Sequence, residues 1–276
     1  LIGVIAGLFD AGLDVTGADL IIGTSAGSTA AAQITGASPT QLLADILSAA
    51  PRQRTGPVGS GGGRGRGGPM VDHLQRTGDI IAASDDAADM RRRQGAAALE
   101  LDAASDGSWQ TPWRATVAAR LPSQNWPQRE VLITAVDART GEPVVFDRHS
   151  GVDLVDAVAA SCAGGPAYGI GDRQYIDGGY RRSSENADLA AGYGRVLVLS
   201  PLGGRTRAPL DWGMHLAAQV DELRAGGSTV ETVLPDSDSL NAFGSNLMDL
   251  SRRPLAARAG YDQGRDLAEQ LTELWR

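Results

Sequence analysis

Gly23-Thr24-Ser25-Ala26-Gly27 constrains the fold more than any other stretch of this chain. A short apolar run, Leu20-Ile21-Ile22, precedes it, and an Ala-rich, helix-prone run from Ser28 to Ile34 follows. A strand, a tight turn with a serine at its tip and a helix directly behind make a unit that lifts the hydroxyl clear of a sheet. Such a turn is crowded, so a Cβ at Gly23 or Gly27 is expected to strike the neighbouring strand or helix. The Ala26 N–H, at the start of the helix, is expected to face the place where an acyl oxyanion would form. The plain alternative is a Gly-rich turn that only packs.

The rest of the chain alternates strands and helices in the same way. Leu1, Val4, Ile5 and Leu8 follow helical spacing, closed by Gly12. This helix begins without Met or a capping residue, so a preceding strand is expected upstream, and restoring it is expected to raise stability and turnover. A second helix is predicted over residues 39–50. Residues 51–69 are rich in Pro, Gly and Arg and predict a flexible loop. Residues 70–110 predict helical pieces. The segment holding Trp109, Trp113 and Trp126 reads as an irregular cap whose rings either line an acyl pocket or pack.

Strands are predicted at 131–136 and 144–146, joined by the turn 139–143. A buried helix is predicted over 153–162, a short strand at 173–176 and a strand covered on both faces at 196–199. Helices are predicted at about 210–225, 239–252 and 255–275, the last with Leu267, Leu271, Leu274 and Trp275 on one face. No repeat and no clear linker divides the chain, so one α/β layered domain over residues 1–276 is expected.

Composition narrows the function. A net charge of −8 and a pI near 4.9 argue against nucleic acid as a partner and against tight adsorption to anionic membranes. No apolar run approaches the ~20 residues of a membrane span, and no signal peptide is visible, which makes a cytoplasmic location the expectation. Cys162 is the single cysteine, so no internal disulfide forms. All 25 basic residues are arginine, as in a GC-rich bacterial coding sequence. Without lysine there is no Schiff base and no P-loop.

A serine nucleophile needs a base. The three histidines are His73, His149 and His215. Only Ser25–Asp177–His215 has the chain order of an α/β-hydrolase triad, and each histidine reads first as a surface or packing residue. Asp177 is the stronger candidate. It ends the run Tyr175-Ile176 and is followed by Gly178-Gly179, which permits a tight turn and close backbone approach.

Together these stretches resemble the patatin-like phospholipases. The elbow at Ser25 and the Asp177-Gly178-Gly179 turn carry the resemblance. It extends to Leu1–Leu8, to Thr134-Ala135-Val136-Asp137 with Thr140-Gly141, to Ala157–Cys162 and to Asn186-Ala187-Asp188-Leu189-Ala190. It implies a three-layer α/β/α fold with a mostly parallel central sheet. It implies a serine acyl hydrolase acting on phospholipids or lysophospholipids through a Ser25–Asp177 dyad and an acyl-enzyme, with no histidine, cofactor or metal. Ala26 would give an oxyanion N–H, and Gly23, Gly27, Gly178 and Gly179 would support the two motifs. The partner implied is a lipid or ester substrate, with transient contact to a membrane or micelle surface left open.

One part of the family pattern is out of place. A Gly-rich oxyanion loop precedes the first helix in the family, whereas here Gly61-Gly62-Gly63-Arg64-Gly65 has that composition but follows the elbow. Two other readings therefore stand beside the first: a catalytically weak or inactive scaffold of the same fold, and an esterase or thioesterase using His215.

Overall fold

The computed structural model describes residues 1–49, 69–244 and 249–275. The expected Gly-rich loop, including Gly61–Gly65, lies outside the described residues.

The chain opens with helix α1 (Ile2–Asp10), strand β1 (Leu20–Gly23), helix α2 (Ala26–Ile34) and helix α3 (Pro39–Ser48). Ser38 caps α3 by accepting from the Gln41 N–H, and Pro39 fills its first turn, where no donor is needed. Helices α4 (Pro69–Ala82), α5 (Ala87–Ala103) and α6 (Gln110–Ala118) follow. Strands β2 (Glu130–Asp137) and β3 (Pro143–Phe146) then form a hairpin through Gly141, at φ 74°. Next come α7 (Leu154–Ser161), β4 (Tyr168–Ile170), β5 (Arg173–Asp177), β6 (Arg195–Leu199), α8 (Leu216–Ala225) and β7 (Thr229–Val233). Helices α9 (Ser237–Phe243) and α10 (Arg253–Trp275) close the chain.

Helices cover both faces of the strands, giving the three-layer α/β/α arrangement. Val131, Ile133 and Ala135 of β2 pack against α2, α6 and α7, while Val136 on the other face meets α5 and Ile176. Helix α7 is apolar nearly all round and accordingly buried. The strand at 195–199 is covered on both sides as expected: Val196 and Val198 meet α8, and Leu197 and Leu199 meet α1 and α10. Helix α10 lies tightly along α1, because a Cβ at Gly3, Gly7 or Gly264 would strike the facing backbone. Among the described residues no helix is long and apolar enough to cross a membrane.

Three expectations need correction. The strands form a mixed five-stranded sheet and a separate two-stranded one rather than one mostly parallel sheet. In the larger sheet β1–β2 is parallel, but β3 and β5 run antiparallel to β2, and β4 antiparallel to β5; the smaller sheet is the parallel pair β6–β7. Tight turns at Gly141 and Gly171 (φ 60°) return the chain beside itself, which only antiparallel pairing permits. The tryptophan segment is not an irregular cap: α6 packs on α7. There Trp113 Nε1 donates to Ala159 O at 3.1 Å and Trp126 Nε1 to Val152 O at 2.7 Å. Buried indole N–H groups need such acceptors, so these rings pack. The helix expected over 239–252 ends at Phe243, where Gly244 adopts φ 68°.

The register of β2 sets the position of the site. β3 and β5 both pair with residues 135–136, so they occupy opposite edges of β2. β1 and β3 both pair with Ile133, so they too are on opposite edges. β1 and β5 therefore share one edge, pointing at each other. β1 leaves β2 at Ile133 and β5 meets it at Ala135. The turn after β1 and the end of β5 converge beside Thr134.

Candidate active site

Ser25 sits at φ 51°, ψ −120°, between β1 and α2. For a non-glycine residue this backbone is strained by on the order of 1–3 kcal/mol and persists only where its surroundings hold it. They do so on both sides of the residue. The Ser25 N–H donates to Ser161 Oγ at 2.9 Å. The Ser25 carbonyl accepts from Ser28 Oγ at 2.6 Å, from the Ser28 N–H at 2.9 Å and from Cys162 Sγ at 3.0 Å. Buried beneath the elbow, the Cys162 thiol has its pKa pushed up to about 11, which keeps it protonated as a donor.

At the end of β5, Asp177 faces Ser25. Ser25 Oγ donates to Asp177 Oδ2 at 2.7 Å, and the Gly179 N–H donates to Oδ1 at 2.8 Å. Burial raises the Asp177 pKa to about 6, partly opposed by these two hydrogen bonds. That shift answers one difficulty of a serine–carboxylate pair, since a carboxylate near its ordinary value is a poor base for an alcohol.

A buried network ties the two motifs together. Thr24 Oγ1 and Thr134 Oγ1 are 2.9 Å apart. Asn186 Nδ2 reaches Thr24 Oγ1 at 2.9 Å, Thr134 Oγ1 at 3.2 Å and Gly178 O at 3.0 Å. Asn186 is fully buried at φ 47°, a left-handed conformation that asparagine tolerates better than most residues. Sequence reasoning did not assign a role to Thr24, Thr134 or Asn186. The available signal was Thr134, one hydroxyl inside the apolar run 131–136.

The four glycines divide. A Cβ at Gly23 would lie 2.6 Å from Ser28 Cα, and one at Gly178 would strike Thr134 O and Oγ1. Gly179 lies against Asp177 Oδ1, at 3.1 Å from an added Cβ. Gly27 has nothing within 4 Å, so the expected clash there is not found. Its N–H donates to Thr24 O at 2.7 Å instead. Ala26 is exposed at the first turn of α2, and its N–H has no hydrogen-bond partner among the described residues.

None of the three histidines bonds to Ser25 or Asp177 among the described residues. His149 lies in an exposed turn and accepts from Arg148 Nε at 3.0 Å. His215 precedes α8, and its buried Nδ1 makes no hydrogen bond among the described residues. His73 stands on α4 near Arg76 and Arg207. The described residues hold no cluster of His, Cys, Asp and Glu suited to a metal ion.

A family model described as patatin-like phospholipase matches residues 1–191. The matched stretch runs from α1 through both motifs to Asn186 and ends before β6. No curated protein sequence matches the chain.

Proposed function

We propose that this chain, which belongs to the patatin-like phospholipase family, is a serine acyl hydrolase that cleaves lipid carboxylic esters through a Ser25–Asp177 dyad. Family membership supports lipid acyl hydrolysis in general. The observation that carries the dyad is the 2.7 Å hydrogen bond from Ser25 Oγ to Asp177 Oδ2.

In the proposed course, Ser25 Oγ attacks the ester carbonyl carbon and its proton passes to Asp177 Oδ2. The oxyanion that forms faces the N-terminus of α2, where the Ala26 N–H, without a partner among the described residues, and the positive end of the helix dipole favour negative charge. Collapse expels the alcohol, which takes the proton from Asp177 and leaves an acyl ester on Ser25. Water then attacks that ester, with Asp177 accepting its proton. The carboxylic acid departs as Ser25 Oγ recovers the proton. The strained elbow and its hydrogen bonds keep Ser25 Oγ aimed at the carboxylate throughout, so little reorganisation is needed.

The test is turnover of p-nitrophenyl butyrate and of a short-chain phosphatidylcholine by the wild-type chain, Ser25→Ala and Asp177→Asn. The proposal expects hydrolysis by wild type and a loss of about 10²-fold or more in each variant, the usual scale for a lost general base. Full activity in Ser25→Ala would reject it.

A further inference from the structure

Helix α7 ends in three consecutive residues that each bond to the backbone of Ser25 or Asp177. Ser161 Oγ accepts from the Ser25 N–H at 2.9 Å, and Cys162 Sγ donates to the Ser25 carbonyl at 3.0 Å. Ala163 O accepts from the Asp177 N–H at 3.0 Å. Residues 161–163 thus grip both members of the pair from one short segment.

The sheet does not supply that link. β1 and β5 each pair with β2 and not with each other, and the β1 ladder ends at Gly23, short of Ser25. At φ 51° and ψ −120°, Ser25 turns both its N–H and its carbonyl to the end of α7, while its side chain faces Asp177. α7 is itself anchored. Arg114 Nε of α6 donates to Asp156 Oδ1 at 2.8 Å, and the Tyr168 hydroxyl of β4 donates to the same oxygen at 2.6 Å.

The two side chains of this clamp are not equivalent. Without the Cys162 thiol, the Ser25 carbonyl would still accept from the Ser28 N–H and Oγ. The Ser25 N–H has no acceptor except Ser161 Oγ among the described residues. Ser161 is also fully buried at the end of an apolar helix, where a hydroxyl needs a partner.

We infer that Ser161 is a positioning residue, which takes the Ser25 N–H and so sets the nucleophile at hydrogen-bond distance from the aspartate held by the same segment. It works through the backbone of Ser25 and not on the reacting atoms. The inference rests on the Ser25–Asp177 reading and assigns what fixes its geometry. A loosened Ser25 should bond Asp177 less well. That bond favours the ionised carboxylate, so weakening it should raise the Asp177 pKa further. The titratable groups that feel the Asp177 charge, the Cys162 thiol and the Tyr180 phenol, are both held protonated by burial and do not change charge near pH 6.

The test compares wild type, Ser161→Ala, Ser161→Cys and Cys162→Ala. Ser161→Cys keeps the size of the side chain but offers a poor acceptor, so it serves if Ser161→Ala does not fold. On p-nitrophenyl butyrate, either Ser161 variant should lower kcat about tenfold or more with KM little changed, since small misplacements of a nucleophile are costly. Cys162→Ala should lose less. The acid limb of kcat/KM should move to higher pH in the Ser161 variants, which a loss of stability alone would not cause. Amide hydrogen exchange read by NMR should show the Ser25 N–H protected in wild type and exposed in Ser161→Ala, with the Asp177 N–H protected in both. An unchanged Ser25 amide in the folded Ser161 variants, an unmoved acid limb, or a larger loss in Cys162→Ala would overturn the assignment. Exchange needs no turnover, so a wild type without esterase activity would count against the hydrolase reading, and an unchanged Ser25 amide against the clamp.

Discussion

Asn186 Nδ2 donates to Thr24 Oγ1 at 2.9 Å across 162 positions of sequence. The same amide nitrogen reaches Thr134 Oγ1 and Gly178 O, so one side chain joins the serine elbow, the central strand and the aspartate turn. Asn186 touches neither Ser25 nor Asp177 in this network. Its hydrogen bonds hold the segments that carry the proposed dyad.

Replacing that amide therefore affects geometry and stability together. Asn186→Leu leaves Thr24, Thr134 and the Gly178 carbonyl short of a partner in a buried setting, at about 1–3 kcal/mol for each group unmatched. We expect a melting temperature several degrees lower and a kcat on short esters reduced at least tenfold, with KM little changed. Asn186→Asp keeps the size and tolerance of the left-handed backbone but sets an acceptor against Gly178 O, so it should not restore kcat. Equal kcat in Asn186→Leu and wild type would remove its positioning role.

Asp177 should impose an acid limb on activity. Its carboxylate must be ionised to accept the serine proton, and burial holds its pKa at about 6. Below that value kcat/KM should fall about tenfold per pH unit, measured on an uncharged ester so that the substrate does not titrate. A limb near pH 4 would show that the site is wetter than its burial implies.

The same shift makes a stability prediction. The folded chain binds the Asp177 proton with a pKa of about 6, against an ordinary value of 3.8. Between those values the folded state holds more protons than the unfolded state, so stability falls as pH rises through the window. The stabilisation is fully present below the ordinary value and lost above the folded one. Its size is on the order of 3 kcal/mol, at about 1.4 kcal/mol per unit. Asp177→Asn removes this cost. At pH 8 the variant should melt above wild type while losing esterase activity, and thermal unfolding at pH 5 and pH 8 checks both signs.

Two glycine substitutions should behave oppositely. Gly178→Ala drives a methyl into the Thr134 backbone carbonyl and hydroxyl, and overpacking of this kind costs about 1–3 kcal/mol. Gly27→Ala meets nothing within 4 Å and lies within α2, so it should be neutral or stabilise by about 0.5–1 kcal/mol. Chemical denaturation of the two variants beside wild type measures the difference.

Local pattern made much of this architecture legible. The apolar run at 20–22, the serine turn and the Ala-rich helix stand where their periodicity put them, and the largely apolar 154–161 segment is a buried helix. Pairing direction was not legible, because an apolar run reads alike in a parallel or an antiparallel ladder. That is why the direction of β5 against β2 was not foreseen, whereas the turn at 139–143 already placed β3 beside β2. β7 was missed because Thr229, Glu231 and Thr232 interrupt its apolar residues, with Val230 and Val233 buried in two different clusters. At the site, Ser25 and Asp177 could be named from their turns. Asn186 could not, since its role arises only when three distant segments meet.

The central claim, a serine paired directly with a carboxylate, is tested most directly by fluorophosphonate labelling followed by intact mass and peptide mapping. The account predicts one adduct, on Ser25, absent in Ser25→Ala. It predicts labelling slowed about 10²-fold or more in Asp177→Asn and unchanged in His215→Ala. An adduct on another residue, or a rate that falls with His215→Ala but not with Asp177→Asn, would contradict it.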